Sequence, residues 1–311
     1  MDVDVALVPA QADSWGPRVC VMVDELRASS TLTTLLDLGC PGVLVTASLS
    51  EGRRLARERG SLLAGERKGQ TPRGFDANNS PTQLRGMGVG GREVILCTTN
   101  GTAVLSRLRR MPSVLVGCLL NARATAEVAL RLADRRHTGI GIVCAGQRGR
   151  FALDDTVASG LIVEHLLAAA SRQGRECRLT DAAHAAVRLR AAQPDDLTAL
   201  RESGSGRQLA ALGAGADIEF CSRADSTPTV PFLRPGDVLR IAVFEDGGDG
   251  DGPAGRLAGR GAPGPPSTEV PPGAADRRRP DPSGAEAHSD SSQPGSRGPL
   301  SPGRARYWRS P

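Results

Sequence analysis

The sequence predicts an α/β fold, a largely parallel or mixed sheet with helices on both faces, and three observations support it. Short, nearly unbroken apolar runs recur along residues 1–245 between polar loops, as strands buried on both faces do. Stretches whose apolar residues return at helical spacing separate them, so strands and helices alternate. The loops after the runs gather hydroxyl, amide, glycine and acidic residues, and such sheets hold ligands beyond the carboxyl ends of their strands.

In chain order, residues 18–24 read as a strand, and Arg27-Ala28-Ser29-Ser30-Thr31 leads into a helical pattern through Leu38. Residues 42–46 form the next strand, and Ser50-Glu51 opens an arginine-rich amphipathic helix to Arg59. The apolar Leu62-Leu63-Ala64 runs into Gly65-Glu66-Arg67-Lys68-Gly69, the start of a polar stretch over 65–82 with no regular period. A loop of that length inside a compact domain is expected to be functional. Val94-Ile95-Leu96-Cys97 is a buried strand that empties into Thr98-Thr99-Asn100-Gly101-Thr102 and a helix. Residues 113–118 and 139–144 are further strands. Asn121 caps a helix to about residue 136, and Asp154-Asp155-Thr156 opens a long one to about residue 170. Residues 180–212 are helical with a break at Ser203-Gly204-Ser205-Gly206, and 228–232 and 238–244 close the fold as strands, expected at an edge where proline is tolerated. From residue 246 to 311 the chain is dominated by Gly, Pro, Ser, Asp and Arg, too poor in aliphatic side chains to offset the entropy of ordering. The expected organisation is one domain over 1–245 and a disordered tail over 246–311.

A net charge of +5 on 311 residues, with both signs interspersed, does not indicate nucleic-acid binding. Lys68 is the single lysine among many arginines, as coding bias would produce. Seven cysteines with no C-x-x-C pair fit a reducing compartment. No segment has the length of a membrane span or the form of a signal peptide, so a cytoplasmic protein without membrane partners is expected; a homodimer is left open.

The Thr98–Thr102 turn brings free backbone N–H groups, side-chain donors and the positive end of a helix to one point, which suits an anion. The other loops add Asp24 with Arg27, Glu66 with Arg67 and Lys68, Asp76 with Asn79 and Ser80, and Asp154 with Asp155. Carboxylates among hard oxygen donors suit Mg²⁺, which takes one or two carboxylates, waters and phosphate oxygens. Arginines beside them suit bidentate recognition of phosphate, carboxylate or sulfonate. A small anionic phosphorylated substrate held across Mg²⁺ is the expected ligand. The expected metal ligands are Asp24, Glu66 and Asp76, and these with Asp155 are the expected catalytic carboxylates. Arg27, Arg67, Asn79, Ser80, Thr98, Thr99, Asn100, Gly101, Thr102 and Arg148 are the expected substrate contacts. Asp76 could equally cap its turn, and Asp154 or Asp155 could simply complement a helix end. Cys144 and Arg150 have the C-x5-R spacing of cysteine-dependent phosphatases, which offers a metal-independent alternative with Cys144 as nucleophile.

Together, Val23-Asp24-Glu25-Leu26-Arg27-Ala28, Gly65-Glu66-Arg67, Gly74-Phe75-Asp76 with Asn79-Ser80-Pro81, the Thr98–Thr102 turn, Asn121-Ala122, Cys144-Ala145-Gly146 and Asp154-Asp155 resemble the 2-phosphosulfolactate phosphatase (ComB) family. Asp217-Ile218, Cys221, Asp225 and Val230-Pro231 also fit, and the resemblance spans roughly residues 18–235. It implies a three-layer α/β/α sandwich and a Mg²⁺-dependent hydrolase that converts (2R)-2-phospho-3-sulfolactate to 3-sulfolactate and phosphate in a coenzyme M pathway. Glu25 stands where the family motif has an aliphatic residue. It is expected to add a negative charge beside Asp24 and Arg27, and a catalytically altered anion-binding protein is the remaining alternative.

Overall fold

The computed structural model describes residues 1–246, so the expected tail, apart from Asp246, lies outside the described residues. The strands are β1 (Asp2–Ala6), β2 (Val19–Val23), β3 (Val43–Thr46), β4 (Leu62–Gly65), β5 (Val94–Cys97), β6 (Ser113–Gly117), β7 (Ile140–Cys144), β8 (Arg178–Leu179), β9 (Pro231–Arg234) and β10 (Leu239–Val243). They make one ten-stranded sheet in the order β4-β5-β3-β10-β9-β6-β2-β7-β1-β8.

The apolar runs are strands because both sheet faces are covered. Val19, Val21 and Val23 of β2 enter one core cluster, while Cys20 and Met22 enter the opposite one, as the two-residue period of a strand requires. Helices α5 (Ala122–Arg135) and α6 (Leu153–Arg172) pack on the first face, and α1 (Ser30–Asp37) and α4 (Asn100–Leu108) on the second. Helix α2 (Leu49–Arg59) places Leu55 against Leu44, Leu63, Ile95 and Cys97 in a third, smaller cluster. The three-layer α/β/α architecture is thus present. Short helices α3 (Pro81–Arg85), α7 (Asp181–Ala191), α8 (Asp196–Glu202), α9 (Gly204–Ala211) and α10 (Gly215–Cys221) complete the described chain.

Two features differ from the expectation. The closing strands sit in the middle of the sheet rather than at an edge: β10 runs antiparallel to β3 and β9, and β9 meets β6 in the single pair Leu115↔Phe232. Proline is tolerated here because Pro231 is the first residue of its strand, where a missing N–H need not interrupt the ladder. The segment 180–212 also breaks twice, at the Pro194-Asp195 stretch before α8 and again at Ser203. The Asp195 carboxylate accepts the Thr198 N–H and the Ser203 hydroxyl accepts the Gly206 N–H, so each restart is capped.

The central hairpin sets the geometry of everything else. Strands β4, β5 and β3 are mutually parallel, as are β6, β2, β7, β1 and β8. Three antiparallel steps separate these blocks, so they run in opposite senses along the ladder. Strand twist of about 20–25° per step accumulates to roughly 100° or more between β5 and β2. The carboxyl ends of both blocks thereby converge on one cleft.

Candidate active site

Asp24 follows the last residue of β2, and its backbone is locked before its side chain is used. Its N–H donates to the Ser29 hydroxyl at 2.8 Å, and its C=O accepts the Ser29 N–H at 2.8 Å. Its carboxylate accepts the N–H of Ala28 and that of Gly101 at the start of α4. The approach is close: a Cβ on Gly101 would stand 3.0 Å from Asp24 Oδ2 and 3.1 Å from the Ala28 methyl. Burial pushes Asp24 up to about 6, with the neighbouring charges of Asp154 and Glu66 adding to the rise.

Asp154 and Asp155 open α6 and have different duties. Asp155 accepts the Glu25 N–H at 2.8 Å on one oxygen and the Gly146 N–H at 2.7 Å on the other, so it ties the loop after β2 to the loop after β7. Burial first, then the Asp154 and Asp24 charges, hold it well above the usual carboxylate range. Asp154 is 1 % exposed, and its Oδ1 has no hydrogen-bond partner. Burial pushes it up to about 6 against the opposing pull of N–H groups and the Ser205 and Ser203 hydroxyls. The pair expected at a helix end thus divides into a positioning residue, Asp155, and an available carboxylate, Asp154. Asp155, expected among the catalytic carboxylates, has both oxygens taken by backbone N–H groups, and neither aspartate is in the lining of the cleft.

The cleft of about 530 Å³ is lined by Asp24, Arg27, Glu66, Arg67, Lys68, Asn79, Thr98, Thr99, Asn100 and Arg148, with Gln147, Ser205, Gln208 and Leu209 among the rest. Asn79 is 3 % exposed, and its Oδ1 has no partner. Thr102 and Gly101 are not in the lining: the Thr102 hydroxyl bonds the Thr98 carbonyl at 2.7 Å, and Gly101 faces Asp24. Ser80 caps α3 and donates to Asp217 at 2.8 Å. Asp76, expected as a ligand and catalytic group, is not brought to the cleft. Its carboxylate accepts the Leu63 N–H at 2.8 Å and its own N–H donates to the Leu63 carbonyl, which extends the β4 edge.

Arg27 is 4 % exposed and is anchored by Asp217, 1 % exposed, and by Asn78 Oδ1 at 3.0 Å. Asp217 also accepts from Ser80 and from the Thr82 N–H and hydroxyl. Arg67 donates to the Thr99 hydroxyl and to the carbonyls of Glu66 and Ala47. Sequence reasoning missed Asp217 as the counter-ion of Arg27, since the two are 190 residues apart. It missed Ser205 and Gln208 because a Ser/Gly stretch reads as a helix break.

Two expectations about rivals are corrected. Cys144 is fully buried against the Ser159 hydroxyl, and burial together with the Asp155 charge pushes its thiol far above the ordinary value. A protonated, inaccessible thiol is no nucleophile. Glu25 is also fully buried. It turns away from the cleft to accept the Leu119 N–H at 2.9 Å and the Ser30 hydroxyl, and burial holds its carboxyl well above the usual range. Its carboxylate is therefore committed to Leu119 and Ser30, and it does not join the lining of the cleft.

Among the described residues no three His, Cys, Asp or Glu side chains form a ligand cluster, and no helix is long and apolar enough to cross a membrane. The seven cysteines are free thiols, six of them buried.

Residues 6–236 match the family model described as 2-phosphosulpholactate phosphatase. A protein of Deinococcus radiodurans named probable 2-phosphosulfolactate phosphatase is 40 % identical over 240 residues, 76 % of this chain and 95 % of the relative. One of Methanothermobacter thermautotrophicus named 2-phosphosulfolactate phosphatase is 37 % identical over 74 % of this chain and 92 % of its own length. A Thermus thermophilus protein named probable 2-phosphosulfolactate phosphatase is 35 % identical over 79 % of this chain and 99 % of its own.

Proposed function

We propose, from the premise that the chain belongs to the 2-phosphosulpholactate phosphatase family, that its cleft hydrolyses the phosphate ester of 2-phosphosulfolactate to sulfolactate and phosphate with the help of Mg²⁺. The observation that carries the reading is the pair of buried carboxylates Asp24 and Asp154, both pushed up to about 6: Asp24 lines the cation-rimmed cleft, and Asp154, whose charge contributes to the Asp24 shift, keeps an oxygen unpartnered at the start of α6. Among the described residues no arginine or lysine pairs with Asp24, Glu66 or Asp154. Such a set fits a divalent cation that needs one or two carboxylates and takes its other ligands from water and phosphate. Asp24 and Glu66 would hold the ion; Asp76, tied to Leu63, would not. When bound, Mg²⁺ supplies charge neutralisation of the phosphoryl oxygens.

The chain's own groups do the rest. Asn79 and the Thr98-Thr99-Asn100 turn at the start of α4 present amide, hydroxyl and N–H donors to the phosphoryl oxygens. Asp154, with a raised pKa and a free oxygen, takes the proton of the attacking water as the O–P bond forms. The ester oxygen leaves with the bonding pair and is protonated from the open side of the cleft. Asp155 keeps the loops after β2 and β7 at a fixed separation while this happens. The free thiols fit a reducing cytoplasm.

The test is phosphate release from 2-phosphosulfolactate, phospholactate and phosphoglycolate, with Mg²⁺ and with chelator. Mg²⁺-dependent release that prefers the sulfonate supports the reading. Release from none of them by the folded protein overturns it.

A further inference from the structure

Two loops on opposite sides of the cleft are built alike. Arg67 and Gln70 exchange both backbone hydrogen bonds, at 2.9 and 3.1 Å, and so do Gln147 and Arg150, at 3.0 and 3.1 Å. The two residues inside each exchange are left-handed: Lys68 and Gly69 at φ 53° and 81°, Arg148 and Gly149 at φ 54° and 74°. This is the turn that asks for Asn-Gly or Gly-Gly. A long side chain at its first position costs about 1 kcal/mol or more. Each loop carries a cation at that strained position, and both cations line the cleft.

The two tips are joined. Gln208 of α9 accepts the Gln147 side-chain N–H at 3.1 Å and donates to the Lys68 carbonyl at 3.4 Å, so one side chain spans the gap between them. The Leu212 side chain lies where a Cβ on Gly69 would stand, 2.5 Å from Cδ1, which seats the first tip against the end of the same helix. Whereas Arg27 and Arg67 are engaged with protein groups, Lys68 and Arg148 are exposed, and no hydrogen bond or ion pair occupies either side chain among the described residues. Lys68 is also the only lysine in the sequence.

Burial sorts the charges of the cleft: the Asp24 carboxylate is buried and Glu66 partly so, its carboxylate accepting the Gly69 N–H, while the uncommitted cations on these tips are exposed. The transferred phosphoryl group belongs with the carboxylates and the cation they hold, so the tips are left for an anion that is not transferred. A planar carboxylate offers its two oxygens in one direction and suits a single guanidinium. A sulfonate has three equivalent oxygens and can be held from two sides at once. Building on the phosphatase reading, we infer that Lys68 and Arg148 form a clamp for the sulfonate of the substrate and that Gln208 is the positioning residue that sets its width.

Lys68→Gly and Arg148→Gly test this, because glycine accepts the left-handed conformation and leaves the turns intact. Each is expected to raise KM for 2-phosphosulfolactate by about tenfold, the scale of a lost charge-assisted contact, with kcat changed by less than about twofold. KM for phospholactate, which lacks the sulfonate, stays where it was. Gln208→Ala is expected to raise KM in the same selective way by less. The single lysine gives a readout that needs no turnover: reductive methylation of Lys68, followed by mass spectrometry, is slowed by 3-sulfolactate and not by lactate. Turnover with unchanged sulfonate preference in the double glycine variant, or methylation indifferent to 3-sulfolactate, overturns the clamp and leaves the phosphatase reading standing. Protection of Lys68 in a protein that releases no phosphate supports the clamp and overturns the hydrolase; absence of both overturns both.

Discussion

Four acidic residues expected at or beside the site differ in what their oxygens have left to do. Asp76 and Asp155 are bonded to backbone N–H groups, Asp24 is partly so, and Asp154 keeps a bare Oδ1. Asp154→Asn is therefore expected to lower kcat by about 10²-fold or more, the lower range for loss of a general base, with the fold retained. Asp76→Asn is expected to keep kcat within about threefold while lowering the melting temperature slightly, since it weakens a single partly buried bond to Leu63. Steady-state kinetics and thermal melts on the two variants separate these outcomes. The same carboxylates set a pH dependence of stability. Asp24 and Asp154 sit at about 6 in the folded protein against 3.8 for an ordinary Asp, so between those values the folded state holds protons that the unfolded chain has released. Their contribution is full below about pH 4 and is lost as pH rises through 6. In chelator, the melting temperature of the wild type relative to Asp154→Asn is expected to fall from pH 5 to pH 7; a flat difference would contradict the raised values. That Asp24, Glu66, Asn79 and Thr98 line one cleft was legible in the sequence because strand-end position is visible in a hydrophobic pattern. The sequence could not divide the roles of Asp154 and Asp155, because adjacent residues share every sequence signal and only the partners of each side chain tell them apart.

At the scale of elements, the site is an assembly of loops braced by short helices rather than a pocket within one motif. Helix α10 contributes Asp217, whose carboxylate holds Arg27 from the loop after β2 and three donors from the start of α3. Asp217→Ala leaves a guanidinium, 4 % exposed, without its carboxylate, and is expected to lower unfolding free energy by about 3–5 kcal/mol, the usual loss when one partner of a buried pair is removed. Urea denaturation measures it, and a loss below about 1 kcal/mol, the scale of an exposed ion pair, would show that the pair does not brace the loop. The parallel strands and the long helices α5 and α6 were legible because their apolar residues are numerous and periodic. Strand β1 was not, although Val3 and Val5 are buried and alternate with aspartates: five residues at a chain start give too short a pattern. Helices α7 and α8 were merged because Pro194 interrupts one apolar pattern without changing its composition, whereas the restart at Ser203 was legible from its Ser/Gly run.

For the whole molecule, the position of β9 and β10 matters more than their length. They are the seam between two parallel blocks of opposite sense, and among the described residues no other strand pairs the blocks. Ile241, fully buried and paired with Val43 and Leu233, is the residue at which the seam is most vulnerable. Ile241→Asp is expected to abolish cooperative unfolding, read by circular dichroism, because an unpaired buried charge there separates the blocks; a variant that still melts in one sharp transition would show that the blocks cohere without the seam. The hairpin is sewn from residues 231–243, after every other strand among the described residues. On the ribosome, β3 and β6 must therefore wait with bare ladder edges until nearly the entire domain has been synthesised. Completion of the fold is a late event in the life of the nascent chain, and holdase chaperones have their longest opportunity while those two edges remain unpaired.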